Sequence, residues 1–462
     1  MQMISDKSRV LIASIHTVPR EILAEIFSYL KGGYRDKVPA HARTETLLPT
    51  HVCQRWREIA LSTPTLWNNI YINGSSSPKS VRDSEVECIS AWLARAKDCP
   101  LAINLRRSES WSNEYDFATD DSWTTIFDIL LRNSHRWRHA ILISTSRTDF
   151  SGLRNNLPLL ETLEINSPLG FAHVSGDAFE IAPRLSNLTL SLGTYIDILP
   201  WAQLKVFVTD HDLSLVHCLG LLQKMPNIVS ISTEIWYINP ESCGVINAPL
   251  SMTKLESLSI VEINPFSMSG FLTCLTLPSL KSIKFSADGP PDGDPDDDWG
   301  LAVISMVQRS ACSIKSLEIE SAFWSGPSTI GDLLQVTPQL ETFGIGSNTE
   351  YDISNAIQSL MVPIGACSTP CLAPGLQHLK LLYQPSFEPQ AFVDLVESRW
   401  RVTPGGSVTI IRSIKLTHIP SAAIFSSSHL ERLGEFAAEG LDIETSDADE
   451  KPILFELGSV SS

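Results

Sequence analysis

The chain has 462 residues, of which 43% are hydrophobic and 19% are charged. This composition can bury a large core and excludes a wholly disordered protein. The net charge of −17 disfavours binding to DNA or RNA, because phosphate contacts need clustered lysine and arginine. At the start of the chain, residues 1–14 carry early charges and no long apolar segment, so we expect a tail here and not a signal peptide.

The first predicted element is an amphipathic helix over residues 18–31. Pro19 falls in its first turn, where a helix tolerates proline, and Gly32 and Gly33 follow it as a stop signal. Residues 34–46 are polar, and we expect a loop there. The apolar residues of the helix recur at helical spacing and predict a single apolar stripe: Ile22, Leu23, Ile26, Phe27 and Leu30.

A second helix is predicted over residues 47–62 and a third over residues 84–97. Thr63-Pro64 ends the second helix, because the residue before a proline disfavours helical geometry. The residues expected to face inward are Val52, Trp56, Ile59 and Ala60 in the second helix and Val86, Ile89, Trp92 and Leu93 in the third.

Residues 1–72, which we call the head, contain nine Lys and Arg against six Asp and Glu. The net charge of the head is therefore +3, which leaves −20 for the rest of the chain. A basic head suits an acidic partner, although local scatter explains the charge equally well.

From about residue 137 an apolar pattern repeats, with apolar residues at the first, fourth and sixth positions of each copy. Successive copies from Leu160 to Leu430 start 19 to 36 residues apart, and five of the ten steps are close to 25, which is within the range of leucine-rich repeats. Weaker copies stand at Trp137/Ala140/Leu142 and Leu430/Leu433. The clear copies are Leu160/Leu163/Ile165, Leu185/Leu188/Leu190, Leu204/Phe207, Ile228/Ile231, Leu255/Leu258/Ile260, Leu280/Ile283/Phe285, Ile314/Leu317/Ile319, Leu340/Phe343/Ile345, Leu376/Leu379/Leu381 and Ile411/Ile414/Leu416.

Six copies also have a proline two residues before the first apolar position. Proline fixes one dihedral and removes a donor, so we expect it where a returning helix ends and a strand begins. Each copy then predicts a short strand whose apolar side chains fill a shared core, with neighbouring strands parallel. One such unit cannot bury its apolar face alone, whereas stacked units can. The six prolines are Pro158, Pro183, Pro226, Pro278, Pro338 and Pro374.

Three stretches of the head resemble the F-box family. VPREIL at 18–23 is similar to the first half of the family motif, an apolar-Pro-x-Glu-apolar-Leu helix, and VCQRWR at 52–57 is similar to the second half. STPTLW at 62–67 looks like the ending common in fungal F-box-like proteins, which often carry divergent leucine-rich repeats afterwards. The resemblance covers residues 15–70 or so and depends on both half-motifs occurring in order.

The resemblance implies binding to a Skp1-type adaptor, which joins an F-box protein to a cullin and RING ubiquitin ligase. Some of the matching positions would pack the F-box itself and others would face the adaptor. The sequence does not divide the two groups. The matching residues are Val18, Pro19, Ile22, Leu23, Ile26, Phe27, Leu30, Leu48, Val52, Cys53, Trp56 and Ile59.

No catalytic, cofactor or metal site is predicted, and we expect a protein that is not an enzyme. His135 and His139 could share a helix face but have no third ligand, so solvent-facing or capping roles are favoured. The acidic run 288–298 departs from a calcium loop at its sixth and twelfth positions, which favours a solvated insertion.

Nine cysteines without a paired framework indicate a reducing compartment, either cytoplasmic or nuclear. The longest uncharged run, 353–379, contains three prolines and does not predict a membrane span.

The fold class predicted is α/β: a small N-terminal helical F-box followed by an irregular leucine-rich-repeat solenoid with short parallel strands. The function predicted is that of a substrate-recognition adaptor of a Skp1-cullin-F-box ligase, with an unknown target protein on the repeats. The alternative is a leucine-rich-repeat scaffold without a ligase link. The expected regions are a tail (1–14), an F-box-like domain (15–72), a helical linker or capping region (73–136), the solenoid (137–436) and an acidic tail (437–462). Target specificity is expected on the strand face and in insertions at 286–310 and 346–373.

Overall fold

The structure, a computed structural model, divides into two compact units, Met1–Leu204 and Lys205–Ser462. Each unit contains a sheet of parallel strands. The residues that the structure describes are 15, 17–30, 42–74, 79–107, 121–143, 149–167, 173–174, 176–191, 195–196, 198–213, 215–235, 249–263, 270–287, 299–321, 327–346, 354–362, 371–382, 387–402, 407–417 and 424–446.

The first unit begins with the helices α1 (Arg20–Ser28), α2 (Ala42–Val52) and α3 (Gln54–Ser62). The helical head is thus confirmed, but two details of the prediction are wrong. The expected loop over 34–46 already contains the start of α2, and the expected helix over 47–62 is two helices. The break falls at Cys53, whose backbone is extended (φ −158°, ψ 169°). Arg57 stabilises the break, because its Nε donates to the Thr50 carbonyl at 2.7 Å.

The rest of the first unit is a parallel sheet with two long helices. The strands follow in chain order as β1-β2-β3-β4-β6, and β5 pairs with β7 separately. The helices are α4 (Lys79–Ala96) and α5 (Asp121–Arg132). The strands are β1 (Asn69–Gly74), β2 (Leu101–Arg107), β3 (Trp137–Ile143), β4 (Thr162–Asn166), β5 (His173–Val174), β6 (Asn187–Ser191) and β7 (Tyr195–Ile196).

Strands β1 and β2 lie in the region that the sequence predicts as a helical linker. Both pair in parallel with the strand that follows, so the sheet begins well before residue 137. Residues 69–72 of β1 and 101–105 of β2 are all buried, and Ile70, Ile72, Ile103 and Leu105 are at most 4% exposed. The repeat pattern fails at β2, where Pro100 holds its first position, whereas Trp67/Ile70/Ile72 at β1 fits the pattern and was overlooked.

The second unit repeats a strand-and-return arrangement. Its main sheet has the order β8-β9-β11-β13-β14-β15-β16-β17-β18, and β10 pairs with β12 separately. The helices are α6 (Leu215–Lys224), α7 (Trp299–Ser310), α8 (Pro327–Val336), α9 (Ser354–Leu360), α10 (Pro389–Trp400) and α11 (Ser427–Ala438). The strands are β8 (Val206–Leu213), β9 (Ser230–Ile235), β10 (Leu250–Ser251), β11 (Ser257–Ile263), β12 (Leu275–Thr276), β13 (Ser282–Ala287), β14 (Ser316–Ser321), β15 (Thr342–Gly346), β16 (His378–Leu382), β17 (Ser413–Thr417) and β18 (Asp442–Thr445).

The register of the parallel strands follows the sequence repeat. In the second unit Ile283 stands beside Leu317, and Leu317 stands beside Phe343. The sixth positions form a second row in the same way, and both rows are almost completely buried. The prediction of a mixed α/β chain with parallel strands is confirmed. The weak copy at Leu430/Leu433 is wrong, because those residues lie in α11. The last strand that the structure describes is β18, which lies within the predicted acidic tail.

The recurring prolines lie in hydrogen-bonded turns. Each occupies the second position of a four-residue turn closed by the amide of the first apolar residue, such as Leu340 N to Thr337 O at 3.2 Å. Proline suits this position because its fixed φ matches the turn. The predicted helix-to-strand junction holds for Pro226 and Pro338, which lie two residues after the last residues of α6 and α8. The residues directly before the turns at Pro158, Pro183, Pro278 and Pro374 are not in a helix.

The two predicted insertions are partly helical. Residues 286–310 contain α7, and residues 346–373 contain α9, so the longer repeats use their extra length for a return helix. The acidic run 288–298 lies outside the described residues.

A Gly346→Ala substitution is expected to destabilise the second unit by about 1–3 kcal/mol, as overpacking does. A Cβ on Gly346 would overlap the Cβ of Leu382 on the neighbouring strand. Gly344→Ala is the matched control, because its Cβ would meet the flexible Glu318 side chain at 3.2 Å. Urea unfolding of the two variants, of Leu382→Gly and of the double variant Gly346→Ala/Leu382→Gly measures the effect, because only glycine at 382 removes the overlapping Cβ. If Gly346→Ala cost as much stability in the Leu382→Gly chain as in the unchanged chain, the assigned overlap would be contradicted.

Candidate protein-docking site

The head has a small core between α1 and α3. Leu23 and Phe27 of α1 and Ile59 of α3 are at most 2% exposed. The ring of Trp56 lies against Phe27, with 5.0 Å between the ring centroids. These residues therefore hold the two helices together.

Arginines tie the ends of the head to one another. Arg55 Nη2 donates to the Val18 carbonyl at 2.6 Å, ahead of α1. Arg20 Nη2 lies 3.4 Å from Ser62 Oγ at the end of α3. Part of the positive charge of the head therefore supports its own fold, and its net charge is weaker evidence for an acidic partner than the sequence suggests.

Trp67 joins the head to the rest of the first unit. Its indole is fully buried, and Nε1 donates to the Ala60 carbonyl at 2.8 Å. Its ring packs edge-on against Trp92 of α4 at 5.1 Å, and the guanidinium carbon of Arg95 lies 4.6 Å from its centroid. Strand β1 begins two residues later, so the head and the sheet share this anchor.

Large apolar side chains remain exposed on the head. On α1 and just after it, Ile22 is 52% exposed, Ile26 49% and Tyr29 80%, at a spacing that places them on one side of a helix. On α2, Leu48 is 49% and Val52 59% exposed. Since the core of the head is already filled by other residues, this exposed surface is available to a protein partner.

The structure separates the twelve residues predicted for the F-box into three groups. Leu23, Phe27 and Ile59 are buried; Val18, Leu30, Cys53 and Trp56 are half-buried; and Pro19, Ile22, Ile26, Leu48 and Val52 are exposed. The first group packs the head, and the last is free for docking. The prediction omits Tyr29, although its position seven residues after Ile22 would have placed it on the same side of the helix.

The helical head also corresponds to a known family. Residues 15–73 match the F-box-like family model. The head is an F-box-like domain. No curated protein matches the chain. The bounds of the F-box-like domain include Trp67 and most of β1, so it ends within the first strand of the sheet and not before it.

Among the described residues, no group of three or more His, Cys, Asp or Glu could hold a metal ion. His135 lies in a short 3-10 turn and His139 in β3, so the two do not share a helix face. Burial raises the pKa of Cys218 to about 12, which keeps that thiol protonated at neutral pH. In the part of the chain that the structure describes, no helix is long and apolar enough to cross a membrane.

Proposed function

We propose that the chain is the substrate-recognition adaptor of a ubiquitin ligase. Its F-box-like domain would dock onto a Skp1-type protein and through it onto a cullin and RING ligase. Its strands would form an irregular leucine-rich-repeat solenoid that holds a target protein. Such a role would place the chain in the cytoplasm, the nucleus or both.

The observation that carries this proposal is the exposed apolar surface of α1 and α2. F-box domains generally bind Skp1-type adaptors, and Ile22, Ile26, Leu48 and Val52 are exposed at positions of the family motif. Burial of such side chains in an interface excludes water and supplies most of the binding free energy. Their exposure has no purpose in packing, since Leu23, Phe27 and Ile59 already complete the core of the domain.

The double variant Ile22→Lys/Ile26→Lys is expected to weaken adaptor binding by about 100-fold or more, because two central apolar contacts each contribute on the order of 2 kcal/mol. The measurement is titration of the full chain with a purified Skp1-type protein. Both side chains point away from the core, so the melting temperature should change little.

Ile181→Lys/Ile198→Lys provides a matched control. These isoleucines are 53% and 42% exposed and lie in the same unit but outside the F-box-like domain. This control should bind the adaptor as the unchanged chain does. Equal binding by both double variants would remove the docking assignment. Failure of the unchanged, folded chain to bind would favour a scaffold without a ligase link.

A further inference from the structure

The outward face of the sheet in the second unit carries a row of charged and hydroxyl side chains across β13–β17. Alternate residues of each strand point away from the core, and strand register places Lys284, Glu318, Gly344, Lys380 and Lys415 side by side. These residues lie between the buried fourth and sixth positions of each repeat. We call this surface the lysine face.

Two lysines of this face share one glutamate. Lys380 Nζ lies 2.7 Å from Glu318 Oε1, and Lys284 Nζ lies 3.9 Å from Glu318 Oε2. Lys380 reaches across a whole strand to do so, which is possible because the residue between them, Gly344, has no side chain. The lysine side chains are 47% and 41% exposed, whereas that of Glu318 is 16% exposed. The carboxylate therefore lies beneath, and the ammonium groups form the outer surface.

The neighbouring positions add further donors. Lys415 is 43% exposed and pairs with Glu444 of β18 at 3.2 Å. Two residues before the charged row, Ser282, Ser316 and Thr342 stand side by side, and each is half-buried. Ammonium groups only donate hydrogen bonds, and hydroxyl groups can also do so. Apart from Glu318, the described acidic residues at the register positions of these two rows in β13–β18 are Asp442 and Glu444, both on β18.

We propose that the lysine face binds an acidic stretch of a polypeptide chain. Ammonium donors form strong charge-assisted hydrogen bonds with carboxylates and phosphates, and hydroxyl donors add to them. Four strand spacings of about 4.8 Å separate β13 from β17, a span of about 19 Å. An extended stretch of about six residues covers that distance. A longer polyanion such as a nucleic acid would continue onto a chain whose net charge is −17 and would be repelled there. The identification of the bound polypeptide as a ligase target rests on the function proposed above.

The test is a fluorescence-anisotropy titration of the full chain with a labelled hexaglutamate peptide at low salt. The variant Lys284→Gln/Lys380→Gln/Lys415→Gln should lower the affinity about tenfold or more. The control variant Lys205→Gln/Lys281→Gln/Lys315→Gln removes the same charge from residues that precede their strands. It should lower the affinity less than about twofold, because long-range attraction alone is screened within a Debye length.

Three outcomes would overturn the inference: no binding by the unchanged chain, an equal loss in the two triple variants, or tighter binding of a six-nucleotide RNA at the same lysines. The adaptor titration is independent of all three, because the lysine face lies outside residues 15–73. Loss of peptide binding with intact adaptor binding would therefore reject this inference alone. Intact peptide binding without adaptor binding would reject only the ligase role.

Discussion

An Arg399→Ala variant is expected to lose on the order of 3–5 kcal/mol of unfolding free energy. Arg399, near the end of α10, is completely buried. Its guanidinium donates to three backbone carbonyls: Nε to Leu360 at 2.7 Å, Nη1 to Ala373 at 2.9 Å and Nη2 to Leu372 at 2.8 Å. Alanine would leave these acceptors without their donor in a site closed to water, and a loss of this size is a large fraction of the total stability of a domain.

Burial lowers the pKa of Arg399, but arginine starts from a value so high that the group stays charged. A charge in this position is tolerated because the carbonyl dipoles that surround it replace water. Arg399→Lys is therefore expected to recover only part of the stability, since one ammonium cannot reproduce the planar set of donors. Chemical denaturation of the full chain measures each variant.

Arg401→Ala is the matched control for Arg399→Ala. Arg401 directly follows the same helix and forms a bidentate ion pair with Glu439, but its side chain is 48% exposed. Exposed pairs contribute little to stability, so this variant should unfold almost as the unchanged chain does. Similar unfolding curves for Arg399→Ala and Arg401→Ala would show that the buried hydrogen bonds of Arg399 are not important.

Arg309 at the end of α7 makes the same kind of contact three return helices before α10. Its Nη2 donates to the carbonyls of Leu272 and Leu275, both at 2.7 Å. The end of a return helix is thus bonded through an arginine to the backbone of the preceding repeat. The repeat pattern contains no sign of these arginines, because it records only apolar positions, and an arginine at a helix end is usually exposed.

The apolar pattern predicted the strands where it was regular, because a side chain that must enter the shared core at a fixed register has few alternatives. Leu317, Phe343 and Leu379 illustrate this, since each stands beside the next in the sheet. The pattern failed where local chemistry was decisive. At Leu430 and Leu433 it could not distinguish a helix from a repeat, because apolar residues three apart occur on one face of a helix and also at the first and fourth positions of the repeat.

The F-box-like domain was predictable from its two half-motifs, but its exposed surface was not. Ile22 and Leu23 are adjacent apolar residues of the same motif, yet the first is 52% exposed and the second 1%. Only the direction from which α3 packs on α1 separates them, and that direction depends on residues distant in sequence. The break at Cys53 was missed because the residues on both sides have helical composition.

Trp67→Ala is expected to destabilise the first unit by about 3–5 kcal/mol, the loss typical of a buried aromatic side chain. Alanine would remove the packing on Trp92, the Arg95 contact and the hydrogen bond to the Ala60 carbonyl together. Trp67→Phe keeps most of the packing and loses the indole donor, so it should cost about 1–3 kcal/mol. Urea unfolding and limited proteolysis near residue 67 measure both variants.

The same variant tests whether Trp67 has a structural role that is separate from docking. Its side chain is buried, so it cannot contact an adaptor while the domain is folded. At temperatures where Trp67→Ala stays folded, its affinity for a Skp1-type protein should therefore remain within about threefold of the unchanged chain. Ile22→Lys/Ile26→Lys should show the opposite behaviour, with stability kept and affinity lost.

A Trp67→Ala variant that is as stable as the unchanged chain would contradict the anchor between the F-box-like domain and α4. If it were stable but bound the adaptor poorly, the docking surface would include residues beyond α1 and α2.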